Sequence, residues 1–325
     1  MESSRQEYLV RGLIHRGQRP AGAVTTEGFT AAGRAHCPCS PTAAVATAEL
    51  EPISSKFAYD KQAYAALSLH EQRWITAVAV GKSMRKAALA GRAAARVHGM
   101  WVIGPPSDEA ELVEVMAVGG KVPSNSQWPK GCIYIGQRAR TANIVEFTTL
   151  RATDPLSTAF EIALRHGFRE GLVAMDWILA NHAPRNVVEA EVQRLGAATG
   201  IATLRRVVRY AVDNSMSPYE SYARAMLIDA GLTGWEVNAE VAGYFIDLRR
   251  GWFGLEIDGR TKYDGETYRP VEETILRERA REKQLQNCGM VIGRVTPTQL
   301  MTDEAGFLTM VRQLTAIADR LSAPG

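Results

Sequence analysis

The sequence predicts an α/β protein in two parts, a mainly helical α+β region followed by an α/β domain, and three observations carry that expectation. Helical periodicity starts near Tyr59 and, after a patch of short apolar runs, returns between Thr153 and Val212. Apolar and polar residues then alternate through FIDLRRGWFGLEIDGRTKYDG (residues 245–265), the mark of a β-hairpin. A charged helical stretch, ILRERAREKQLQNCG, separates that hairpin from one more apolar run at 290–295.

Composition limits what such a chain does. Its 325 residues suffice for two domains with separate cores, and its net charge of only +3 excludes a dedicated nucleic-acid coat, so any DNA contact has to be local. The four cysteines, Cys37, Cys39, Cys132 and Cys288, are scattered. Cys37-Pro-Cys39 has neither zinc-knuckle nor thioredoxin-type spacing, so they read as reduced thiols. No run approaches the ~18 apolar residues of a membrane span, and charges fall where a signal peptide needs its apolar stretch. The expectation is a soluble cytoplasmic protein with no membrane partner.

Taken in order, residues 1–56 mix Gly, Ala, Ser, Thr, Pro and Arg without sustained periodicity and are expected to form a mobile extension. The first domain is assigned to 57–213. HEQRWITAVAV and KSMRKAALAGRAAARVHGM predict helices, the second a pair of short ones with five basic residues and no acid between Lys82 and Arg96. Arg85, Lys86 and Arg92 are therefore candidate DNA-phosphate contacts, against the alternative of a solvated face over a small core. Short strands are expected at 112–122, 132–135 and 143–147, interrupted by the turn-rich 123–131. Thr153-Asp154-Pro155 opens a helix at 156–166, and others follow at 169–180, 189–195 and 201–212. This region has no paired acids, nucleophile–base set or phosphate loop, and His98, His166 and His182 stand alone, which assigns it to DNA or protein recognition.

The second domain is assigned to 214–325. Ser217, Pro218 and Glu220 form a capping box with Pro at the first helical position. The hairpin is expected as strands 244–249 and 252–258 joined by an Arg250-Gly251 turn, with Asp247 opposite Gly254 and Glu256 its diagonal neighbour. Ile246, Leu248, Phe253, Leu255 and Ile257 would form one apolar face, and Asp247, Glu256 and Asp258 would point together from the other. Carboxylates forced together repel unless a cation such as Mg²⁺ or Mn²⁺ sits between them, and Gly254 would leave room for it. The bland alternative is a solvated acidic face.

The strings SPYES, FIDL, LEIDGRTKY, RERAREKQL and CGMVIGRVT, in that order, resemble the PD-(D/E)XK nuclease superfamily, and within it the small domain similar to very-short-patch-repair endonucleases. Upstream, GRAAARVHGM resembles a segment of AbiEi-type antitoxins of type IV toxin–antitoxin systems. The resemblance is strong after Ser217 and weak from Ser83. It implies a restriction-endonuclease-like mixed sheet flanked by helices, with Asp247 and Glu256 as metal carboxylates on central strands. The Lys that commonly follows two residues after the second carboxylate is replaced here by Asp258, and Lys262 would reach in from the loop instead. The implied catalytic set is thus Asp247, Glu256 and Lys262, with Asp258 and Glu220 completing a Mg²⁺ or Mn²⁺ shell. Glu220 keeps both readings, cap and ligand. Arg260 and Arg281 join the candidate DNA contacts, and Glu278 with Arg281 is either a surface ion pair or part of the cleft. The expected function is a metal-dependent DNA endonuclease in repair or phage defence. The alternative is a DNA-binding regulator of the antitoxin kind, with a toxin partner encoded nearby.

Overall fold

The structure, a computed structural model, describes residues 3–16, 49–106, 109–119, 121–136, 143–258 and 271–322. Helix α1 (Ser3–Arg11) and strands β1 (Ile14–His15), β2 (Leu50–Pro52) and β3 (Phe57–Asp60) open the chain, the strands forming a sheet in the order β1-β3-β2. The expectation of a mobile extension over 1–56 is corrected here for the described residues, because Leu9 of α1 is fully buried in a cluster with Tyr59, Trp74 and Ile75. Residues 17–48, with Cys37 and Cys39, lie outside the described residues.

Helices α2 (Lys61–Ala65) and α3 (Leu69–Ser83) follow, α3 opened by a reciprocal Ser68–Glu71 capping box. The expected pair of basic helices is interrupted by β4 (Ala87–Leu89), after which α4 (Gly91–Val97) forms. Ala87, Ala88 and Leu89 are all buried, with antiparallel β5 (Val113–Ala117) on one side and parallel β8 (Arg151–Thr153) on the other. Alanine favours helix intrinsically, but small side chains also suit a strand packed between a helix and two neighbours, and tertiary context decides. With β6 (Cys132–Tyr134) and β7 (Ile144–Glu146) the sheet runs β6-β5-β4-β8-β7.

Four helices close this region: α5 (Pro155–His166), α6 (Phe168–Asn181), α7 (Arg185–Leu195) and α8 (Ile201–Tyr210). Asp154 caps α5, its Oδ1 accepting from the Leu156 and Ser157 N–H groups, each at 3.1 Å. The last part contains α9 (Pro218–Asp229), β9 (Glu236–Val241), β10 (Tyr244–Arg250), β11 (Phe253–Ile257), α10 (Val271–Asn287), β12 (Val291–Val295), α11 (Pro297–Thr302) and α12 (Glu304–Ser322). Its mixed sheet has the order β12-β11-β10-β9, with β11 and β12 parallel and the other pairs antiparallel.

Helix α9 belongs to two cores. Ala225 and Ile228 pack with Leu172, Met175 and Leu204 of α6 and α8, whereas Met226 and Leu227 pack with Leu248 and Phe253 of the sheet and Val311 of α12. At the same junction Arg224 of α9 grips Asp176 of α6 through Nη2, at 2.9 and 2.7 Å, and Asp176 Oδ1 also accepts from the Val212 N–H at 2.8 Å. Among the described residues no helix is long and apolar enough to cross a membrane.

Candidate functional site

The site is built on the hairpin of β10 and β11, whose register pairs Leu248 with Leu255, Arg249 with Gly254 and Arg250 with Phe253. The turn is therefore Gly251-Trp252, not Arg250-Gly251. Gly251 has φ 58°, the left-handed conformation a two-residue hairpin turn requires. The register consequently differs from the expected one by two residues, an even shift that by itself moves no side chain to the other face. The paired register ends at Leu248–Leu255, and beyond it the Asp247 side chain meets the end of β11, where Glu256 and Ile257 lie.

Two expectations about the faces are corrected. Leu248, Phe253 and Leu255 do share one core, but Ile246 packs on the other side of the sheet with Leu285 and Met290. Its neighbour strand is irregular at the same level. Asn238 of β9, with φ 50°, falls between the pairs Leu248–Val237 and Ile246–Ala239, so the ladder is interrupted at the level where the faces change. Gly254, expected to leave room for a cation, instead makes room for apolar side chains: a Cβ there would stand 2.8 Å from Ile292 and 3.0 Å from Ile246. The space beside Gly254 is filled.

Glu256 is only 5% exposed, on a central strand, and pairs in register with Arg294 of β12. Glu256 and Arg294 thus form a row across two strands. Arg281 of α10 reaches the row, its Nη1 donating to Glu256 Oε2 at 3.1 Å and its Nη2 to Oε1. The same Nη2 donates to the Phe245 carbonyl at 3.0 Å. Arg294 Nε donates to Glu256 Oε2 at 3.3 Å and lies 4.0 Å from Asp258 Oδ2, so Asp258 sits on the rim of the same cluster. Asp247 Oδ2 accepts from the Ile257 N–H at 2.7 Å where β11 ends. Leu285, about one helical turn beyond Arg281, packs with Ile246 and Met290 and so fixes α10 against the sheet and with it the origin of the Arg281 side chain.

The remaining candidates are dispersed. Glu220 is buried, and its Oε2 accepts from the Met216 N–H at 2.9 Å while its own N–H donates to Ser217 Oγ at 3.2 Å. Its carboxylate therefore serves the start of α9. Lys262 and Arg260 lie outside the described residues, as does the side chain of Glu278. Arg85 and Lys86 are exposed in the connection from α3 to β4. Arg92 is already engaged within the protein: its Nε donates to Glu170 Oε2 at 2.7 Å, and its N–H donates to Glu114 Oε2 at 2.6 Å. A salt-bridged arginine at the start of α4 holds that helix to α6. Sequence reasoning missed Arg294, although a charged residue inside the apolar run VIGRV was a signal for it.

Carboxylate oxygens such as those of Asp247 and Glu256, on adjacent strands, are the donors a hard divalent ion takes. Asp258 borders them. Among the described residues no group of three or more His, Cys, Asp or Glu side chains is gathered as a metal would need, and the charge of Glu256 is balanced by guanidinium groups. No protein-family model, characterised protein or solved structure matches the chain.

Proposed function

We propose that the chain is a DNA-binding protein whose C-terminal domain follows the restriction-endonuclease-like plan and hydrolyses phosphodiester bonds with Mg²⁺ or Mn²⁺. The observation that supports this best is that Asp247 and Glu256 stand on neighbouring strands of a mixed sheet, with Asp247 Oδ2 bonded to the N–H of the residue that follows Glu256. In this reading those two carboxylates hold the ion, with Asp258 at the rim. The ion supplies Lewis-acid stabilisation of phosphate charge and a water of lowered pKa. Arg281 and Arg294 present guanidinium edges to the DNA backbone, and Lys262 offsets charge developing on the phosphate.

The test is cleavage of single-stranded, duplex and mismatched DNA with Mg²⁺ or Mn²⁺. Wild-type protein is expected to cut at least one of them, and Asp247→Asn and Glu256→Gln to cut none while still binding DNA without metal. Activity that survives in Asp247→Asn would defeat the assignment.

One observation favours a second reading. Two arginines already compensate Glu256, as they would in a nuclease-like domain kept as a binding platform by a regulator of the antitoxin kind. That reading expects no cleavage under any metal condition, operator binding that is nearly unchanged in the same variants, and a toxin partner.

A further inference from the structure

We propose that Arg281 is an exchangeable latch: it neutralises Glu256 while the protein is free and passes to a backbone phosphate when DNA binds, so that divalent-cation binding and DNA binding reinforce each other. The inference rests on the nuclease-like reading of this site and adds how the site is held before substrate arrives.

A carboxylate as buried as Glu256 needs a counter-charge, and the arginine fork supplies it. A cation approaching the same oxygens meets that guanidinium, which cannot lose its proton, so the two positive groups compete for one carboxylate. A phosphodiester offers the guanidinium an equivalent pair of oxygens, since the planar fork matches carboxylate and phosphate alike. Exposure sets which group can change partners. The Arg281 and Arg294 side chains are 19% and 36% exposed, while the Glu256 side chain is 6% exposed. A polyanion therefore reaches the arginines before it reaches the carboxylate. Packing of Leu285 keeps α10 in place, so the exchange needs a side-chain rotation and no helix movement. Once Arg281 has turned to phosphate, Glu256 loses its fork and attracts a cation more strongly. By linkage, a bound cation strengthens phosphate binding by the same factor.

Mn²⁺ binding to the full chain, followed by the electron paramagnetic resonance of free Mn²⁺, tests this with and without a hydrolysis-resistant phosphorothioate duplex, after subtracting Mn²⁺ bound by duplex alone. Wild-type protein is expected to bind Mn²⁺ about tenfold more tightly with the duplex than without it. Arg281→Gln should bind Mn²⁺ alone more tightly than wild type and gain less than about twofold from the duplex. Arg281→Lys keeps the charge and loses the fork, so it should fall between them and serves if the Gln variant does not fold. Mn²⁺ binding that depends on Glu256, as judged with Glu256→Gln, but responds neither to Arg281 nor to DNA would overturn the latch and leave the metal site standing. Absence of Glu256-dependent Mn²⁺ binding in every protein, with and without duplex, would remove the metal site and the latch together.

Discussion

Two arginine–carboxylate clusters in this chain look alike on paper and differ in what surrounds them. At the junction of α6 and α9 the Asp176 and Arg224 side chains are 0% and 5% exposed, and backbone groups of Val212 and Tyr210 take up further bonds. In the C-terminal sheet Glu256 is nearly as buried, but both of its arginines reach solvent, and the half-exposed Asp258 stands beside them. The first is enclosed on all sides by two cores that share a helix. The second has a dry carboxylate and wet cations, an arrangement that can trade partners without unfolding anything. Burial of the cation, more than burial of the acid, is what differs between these two clusters.

The largest effect that would break this comparison is at the junction. Removing one partner of a fully buried ion pair leaves an unpaired charge, which costs about 3–5 kcal/mol, so Arg224→Met should lower unfolding stability by that order in urea titration. Because Ala225 and Ile228 serve one core while Met226 and Leu227 serve the other, both regions should lose stability together. Arg281→Gln should cost less, about 1–3 kcal/mol, because Arg294 remains on Glu256 and water can reach the vacated edge. Equal losses in the two variants would erase the distinction.

A third acid sharpens the contrast through pH. Glu114 of β5 is buried, which by itself pushes its pKa up, but the hydrogen bond and charge of His166 and the Arg92 N–H outweigh burial and hold it below the ordinary carboxylate value. A depressed folded pKa means that the stabilisation is present above the unfolded pKa and is lost as pH falls through the folded one. Glu114→Gln should therefore lower the melting temperature at neutral pH, and the gap from wild type should close in acid. A gap that widens on acidification would reverse the assigned sign.

Much of this was legible in the sequence, for reasons that can be named. The helices from 155 to 210 carry strong periodicity and a clear Asp154-Pro155 start, and the C-terminal hairpin carries clean alternation. Short strands were legible where apolar runs ended in turns, as at Val113–Ala117, and illegible where alanine filled them, as at Ala87–Leu89. Asp247 and Glu256 were placed on the correct strands because the apolar alternation marks both strands whatever their register. Their true register depended on Gly251 taking the left-handed position of the turn, a choice Arg250-Gly251 and Gly251-Trp252 both allowed on paper. The arginines could not be read at all, since the row through Arg294 exists only when β12 lies parallel beside β11, and Arg92 became structural only when Glu170, 78 residues away, met it.

That last pairing gives the smallest and most specific prediction. Arg85, Lys86 and Arg92 form a single basic run in the sequence, yet the first two side chains are exposed and the third is tied to Glu170. Exposed charges contribute about 0–1 kcal/mol to stability, so Arg85→Gln with Lys86→Gln should leave the melting temperature nearly unchanged. If this connection touches DNA, the same double variant should weaken binding at low salt and flatten the dependence of affinity on salt concentration by roughly one unit of slope per lost phosphate contact. Arg92→Gln should do the opposite, lowering stability and leaving the salt slope alone. Equal salt slopes for wild type and the double variant would show that the basic run is a solvated face, and the DNA-contacting surface would then have to be sought around Arg281 and Arg294.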